Sequence, residues 1–273
     1  MRKLLTIILV ISTALNSFSQ KHKTEFKPSD FKFENGKLMY YVVYKGDTVG
    51  EFWDVYDAKM VTNQTHPEFF RGNMSMEDMH KRVKGMAITP DGMTTGSTPV
   101  LMQGKSLADG IPVGDGIPRD YGIIVAGRGL TFTHYNEIPD FDNQYDKIKK
   151  NKGTMFFLPV VYNKGKTIPN SIGRVDRVLI NRLTPSNNSV PLAGKQQGII
   201  IFYEKYSYPK VIDIVLGLNR NYKDGSVKSR TKHIFVLDGG PNYGAVSKRN
   251  ASGKVVVTGT RDPGVNTNYL FWY

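Results

Sequence analysis

Apolar residues fall along this chain in short runs, and Gly, Pro, Asn or Asp interrupts nearly every one. That spacing predicts strands joined by turns more often than helices. Leu38–Tyr44 (LMYYVVY) and Val49–Tyr56 (VGEFWDVY) are rich in aromatic and β-branched residues, with Lys45-Gly46-Asp47-Thr48 placed as a hairpin turn between them. Further strands are predicted at Pro99–Gln103, Tyr121–Val125, Thr154–Val161, Val175–Asn181, Gly198–Tyr203, His233–Leu237, Lys254–Thr258 and Asn268–Tyr273. Two segments read as helices. Tyr208–Leu218 has Pro209 in its first turn and a broad apolar face. Met76–Val83 is acidic at its start and basic at its end, which complements the helix dipole. Asp140–Lys150 reads either as a third helix or as a charged loop, and Lys21–Lys32 as a polar, mobile lead-in.

The N-terminus has a different pattern. Arg2 and Lys3 precede an almost wholly apolar stretch, Leu4–Leu15, followed by Ser17-Phe18-Ser19. A basic start, a short apolar core and small residues at the cut describe a secretory signal peptide over residues 1–19. The apolar stretch is shorter than the roughly 20 residues that span a bilayer, so an exported chain, periplasmic or secreted, with no stable membrane span after cleavage is expected.

Length and composition then bound the rest. With 273 residues, 40% hydrophobic and 22% charged, the chain is long enough for one large domain, and no linker-like stretch divides it. The expected fold is a single α+β domain on mixed or antiparallel sheet with few helices. Within it, residues 20–84 form a β-rich lead-in and residues 85–273 the main body. The absence of cysteine excludes a disulfide scaffold, a Cys-ligated metal and a thiol nucleophile. Together with export it suggests a bacterial envelope protein. The formal charge of +13, or about +11 without Arg2 and Lys3, has no nucleic-acid-binding motif beside it. Its densest stretches are 147–152 and 205–230. An anionic or phosphate-bearing glycan, not nucleic acid, is the expected partner.

Candidate chemistry is limited to carboxylates, arginines and a lone histidine. The five histidines show no paired metal-ligand spacing, and no Gly-x-Ser-x-Gly elbow occurs. In HIFVLDGGPNY (His233–Tyr243) an apolar strand runs straight into Asp238, followed by Gly239 and Gly240. An acid at a strand end sits at the edge of a core, where desolvation tunes it for acid/base work; it equally suits a plain Asp-Gly turn. In GRVDRVLINR (Gly173–Arg182) strand alternation puts Arg174, Asp176, Val178 and Ile180 on one face. Val175, Arg177 and Leu179 take the other, so Arg177 is expected on a core-directed face, where it must be paired or face a polar cavity. The Gly/Pro-dense stretch Gly110–Asp120 reads as an irregular loop.

These pieces, in this order, resemble the phosphodiester glycosidase family. The resemblance is best over Gln197–Tyr273: a strand, the helix at Tyr208–Leu218, then FVLDGG (Phe235–Gly240) and a terminal NYLFWY (Asn268–Tyr273). Phe156–Asn181 is similar to the family's arginine-bearing strand stretch. The resemblance implies an exported hydrolase that cleaves a sugar-1-phosphate linkage on an envelope or host glycan. It implies Asp238 and Arg177 as catalytic residues and Gly239, Gly240, Arg174, Asn242 and Tyr243 as substrate-binding ones. No cofactor is implied, a divalent cation at Asp238 being the one conceivable addition. The family's Asn-Gly-Gly-Phe-Phe-like motif is absent from the first half, and Pro241-Asn242 replaces its Gly-Ser. Those replacements carry the alternative reading, a non-catalytic envelope protein that binds glycan or plays a structural part on the same fold.

Overall fold

The structure is a computed structural model and describes residues 24–32, 38–70, 78–79, 82, 87–89, 102–117, 121–168, 173–183, 197–218, 230–237, 245–249, 254–258 and 268–273. The signal-peptide reading of residues 1–19 lies outside them.

Among the described residues the strands, numbered in chain order, form three sheets. The largest has eight strands, in the order β1 (Thr24–Lys32), β2 (Leu38–Tyr44), β3 (Asp47–Asp54), β14 (Gln197–Ser207), β13 (Arg174–Leu183), β15 (Arg230–Val236), β11 (Val160–Asn163) and β12 (Lys166–Thr167). A second has five: β7 (Ile111–Pro112), β6 (Leu107–Ala108), β10 (Thr154–Leu158), β8 (Gly122–Ala126) and β9 (Thr131–His134). The third also has five: β17 (Lys254–Thr258), β16 (Ala245–Arg249), β5 (Ala87–Thr89), β18 (Asn268–Trp272) and β4 (Ala58–Thr62). Neighbouring strands run antiparallel throughout, so the expected single domain on antiparallel sheet with few helices is what forms.

The sheets enclose one central core. Trp53, Leu179, Ile199, Ile201 and Phe235 enter it from the large sheet, Phe156 and Leu158 from the second, and Leu270 and Trp272 from the third. Each sheet also has a covered outer face. Helix α2 (Tyr208–Gly217) packs Val211, Ile212, Ile214 and Val215 against Val178, Ile180 and Ile200 of the large sheet. Helix α1 (Phe141–Lys150) lays Phe141, Tyr145 and Ile148 over Met155 and Phe157 of the second. Phe69 and Met79 pack with Tyr269 and Phe271 of the third. Burial on both faces explains why β10 (TMFFL) and β18 (NYLFW) read as unbroken apolar runs rather than alternating ones.

Several sequence expectations shift for identifiable reasons. Thr154–Val161 is two strands, not one. Pro159 has no N–H for a ladder, and there the chain leaves β10 of the second sheet and enters β11 of the large one. The polar lead-in is ordered over Thr24–Lys32 as the edge strand β1, paired with β2. Asp140–Lys150 resolves to a helix, because Phe141, Tyr145 and Ile148 recur at helical spacing and the Asp140 side chain accepts from the Asn143 amide at 3.3 Å. The hairpin turn falls where expected but is tighter: Lys45 and Gly46 alone make it, both at positive φ, 56° and 99°, as in a two-residue hairpin loop, and Asp47 and Thr48 already pair with Tyr44 and Val43 in the ladder. Of Pro99–Gln103 only Met102 and Gln103 are described, Met102 bridging to Gly114. In the Gly/Pro-dense stretch, Asp109 and Gly110, both at positive φ, turn β6 back into β7. No described helix is long and apolar enough to cross a membrane.

Candidate functional site

The centre of the large sheet is held by consecutive cross-strand partners. Tyr41 of β2 faces Glu51 of β3, Glu51 faces Ile201 of β14, and Ile201 faces Arg177 of β13. The row ends at Leu237, whose amide donates to the Arg177 carbonyl at 3.3 Å. Directly opposed residues in an antiparallel sheet project from the same face. Ile201 and Leu237 belong to the central core, so Glu51 and Arg177 are carried on the core-directed face too. One row further along are only Met39, Trp53, Ile199, Leu179, Phe235 and Val160, all buried. The face thus changes from wholly apolar to charged within one row, two residues along each strand.

Arg177 is 0% exposed, as its core-directed placement requires. The alternation that predicted its face fails one residue earlier. The register shifts between Val175, opposite Tyr206, and Arg177, opposite Ile201. An irregularity there turns Val175 toward α2 with Val178 and Ile180, not toward the face of Arg177. It also lets the neighbouring side chains meet: Asp176, itself buried, places Oδ1 3.9 Å from Arg177 Nε. A guanidinium removed from water needs such a carboxylate, because an unbalanced buried charge costs several kcal/mol, on the order of 3–5.

Sequence reasoning passed over Glu51. Its side chain is buried, yet it carries a carboxylate. Trp53 Nε1 donates to Oε2 at 3.1 Å, and the Tyr203 hydroxyl donates to Oε1 at 3.4 Å. Two donors of this kind offset part of the cost of desolvating the acid. The signal was legible in VGEFWDVY, where Glu51 shares its parity with Trp53, an apolar position for a charged residue. Tyr203 was also missed. The residue is 51% exposed while its hydroxyl donates to Glu51, so it presents a tethered aromatic side chain to solvent at the edge of this row.

The other predicted site residues stand as follows. Arg174 lies at the start of β13, exposed, with its guanidinium donating to the Lys205 carbonyl at 2.8 Å. Asp238, Gly239, Gly240, Asn242 and Tyr243 lie outside the described residues. Leu237, the last described residue before Asp238, is held against Arg177, so the two segments singled out separately in the sequence are hydrogen-bonded neighbours. No group of three or more His, Asp or Glu side chains suited to a metal ion occurs among the described residues.

At the far end of the same strands, His233 is buried beside Asn181, whose Nδ2 lies 3.3 Å from its Nδ1. Burial, aided by Lys232, holds its pKa down at about 4, so the ring is neutral at pH 7.

No family model matches the sequence, and no curated protein matches it. Among solved structures the chain is similar to the catalytic domain of zebrafish N-acetylglucosamine-1-phosphodiester alpha-N-acetylglucosaminidase, auto-inhibited by its pro-peptide. The sequence identity is 13%, the alignment covers 93% of this chain and 84% of that chain, and the TM-score is 0.48.

Proposed function

We propose that this protein is an exported hydrolase that cleaves glycosyl phosphodiesters on an envelope or host glycan, with its site where the Arg177 row meets Asp238. The observation that carries the reading is the Leu237 amide on the Arg177 carbonyl, which ties the residue that precedes Asp238 in the sequence to the arginine strand. The family resemblance of that segment supplies the reaction class.

In this reaction water attacks the anomeric carbon, the bond from that carbon to the bridging phosphate oxygen breaks, and the phosphate monoester leaves with the bonding electrons. The water's proton passes to a base. Asp238 fills that role, or stands as the anion that stabilises developing positive charge at the anomeric carbon. Arg177 is too deeply buried to clamp a phosphate at the surface. Its part is to balance Asp176 and set a positive field within the core-directed face. Tyr203 offers a ring on which a sugar face can stack, anchored through Glu51.

The test is hydrolysis of an N-acetylglucosamine phosphodiester model compound by the full chain. Turnover by the wild type and a loss of about 10²–10⁴-fold in Asp238→Asn are expected. Undiminished turnover in Asp238→Asn would remove Asp238 from the mechanism. Saturable binding without turnover by the wild type would favour the non-catalytic glycan-binding alternative.

A further inference from the structure

A second feature lies on the outer face of the second sheet, away from the Arg177 row. A cavity of about 250 Å³ opens between the turn that joins β8 to β9 and the C-terminal end of α1. Its floor is apolar, formed by Val125 and Ile148. Around it stand Arg128, Lys147 and Lys152, with Thr131 and Asn151 as neutral hydrogen-bonding groups and no carboxylate in the lining. None of the three cationic side chains makes an ion pair or a hydrogen bond among the described residues.

Lysines at a helix C-terminus ordinarily complement the exposed carbonyls there. Here backbone amides already serve those carbonyls. Asn151 N donates to Lys147 O at 3.1 Å, Lys152 N to Lys149 O at 3.1 Å, and Gly153 N to Ile148 O at 2.9 Å. Asp57, which accepts from the turn's Gly127 amide at 2.7 Å and from Ala58 N at 2.8 Å, makes no ion pair with the three cations among the described residues. Neither capping nor a neighbouring acid therefore accounts for three cations gathered on one apolar-floored cavity.

We propose that this cavity is a second, non-catalytic binding site that takes one unit of a phosphodiester-linked anionic polymer. The phosphate lies among Arg128, Lys147 and Lys152, and the unit's carbon face rests on Ile148 and Val125. A guanidinium fork beside two ammonium groups suits a phosphate oxygen cluster, and the cavity has room for a single small unit, not a chain. Exposed Lys149 and Lys150, next along the helix, extend the positive surface along which the rest of the polymer runs. The site would hold the protein on its anionic polymer whether or not the Arg177 row turns substrate over.

The experiment measures binding of an end-labelled poly(glycerol phosphate) chain to the full-length mature protein by fluorescence anisotropy. The site variant is Arg128→Ala/Lys147→Ala/Lys152→Ala. The control is Lys27→Ala/Lys166→Ala/Lys210→Ala, which removes equal charge from exposed positions elsewhere. The expected result is affinity weakened about tenfold or more in the site variant and less than about twofold in the control. Equal weakening in both would show that net charge alone attracts the polymer and would overturn the site. Equally tight binding of a polygalacturonate chain of matched length would overturn its phosphate preference. Because the readout is binding, failure here leaves the hydrolase reading standing, and loss of turnover in Asp238→Asn leaves this site standing.

Discussion

Strands β13 and β15 bury an ionisable side chain at each of their two ends, and the two ends solve the same problem in opposite ways. At one end Arg177 stays charged inside the protein, beside the carboxylate of Asp176 and on a face that also carries Glu51. At the other, His233 gives up its charge, since burial and Lys232 hold its pKa near 4. A guanidinium cannot deprotonate, so a protein that buries one must bring anions to it; an imidazole has the cheaper route of neutrality. Hydrophobic residues at both ends would have avoided either cost. The end that retains charge is the end at which Asp238 follows in the sequence.

The sharpest way to break this comparison is to remove the charge that cannot be neutralised. Arg177→Met fills similar volume but leaves Asp176 buried without its guanidinium. Stability should fall by about 3–5 kcal/mol, read as a lower urea midpoint at unchanged slope. A loss of less than about 1 kcal/mol would mean that the acids of this face draw their stabilisation elsewhere.

The opposite end should respond to pH instead. With a folded pKa near 4 and an unfolded value near 6.5, His233 takes up its proton more readily in the unfolded chain. Its contribution is constant above about pH 6.5 and is lost as pH falls toward 4, because acid then favours unfolding. Lys232, Lys164 and His134 oppose the imidazolium, while Glu137 favours it and is itself held below its usual range by Lys164. Between pH 7 and pH 4 the wild type should lose about 1–3 kcal/mol more than His233→Gln, in urea titrations run at each pH. Parallel pH profiles for the two proteins would show that His233 is not the group responsible.

The difference between the two ends also marks where the sequence was readable. Lys254–Thr258 is the predicted strand residue for residue, and Tyr208–Leu218 differs from α2 by one residue, because local propensity and turn chemistry act within a few residues. Arg177 was placed on the core-directed face by simple alternation. Val175 was misplaced by the same rule, since the irregularity beside it depends on how β14 is paired and leaves no mark in GRVDRVLINR. The division of Thr154–Val161 was visible in Pro159, but which sheet each half joins was not, because that is fixed by partners remote in the chain. Glu51 escaped notice for a related reason. Only the pairing β3–β14–β13 shows that it shares a row with an arginine far away in sequence.

The smallest expected effect asks whether Glu51 and Arg177 belong to one charged unit. Ile201 separates their backbones, which lie two strand spacings, about 10 Å, apart. Glu51→Gln keeps an acceptor for Trp53 Nε1 or the Tyr203 hydroxyl but removes the negative charge. Alone it should cost about 1 kcal/mol, with a shift in Trp53 fluorescence as the indole hydrogen bond weakens. The informative quantity is its coupling to Arg177→Met in a double-mutant cycle. If the buried cation stabilises both carboxylates, removing Glu51's charge should be less costly once Arg177 is gone, with a coupling of about 0.5–1 kcal/mol. Strict additivity would confine the ion pairing to Asp176 and make Glu51 the hydrogen-bond anchor of Trp53 and Tyr203, leaving those two donors as the reason an acid is buried there.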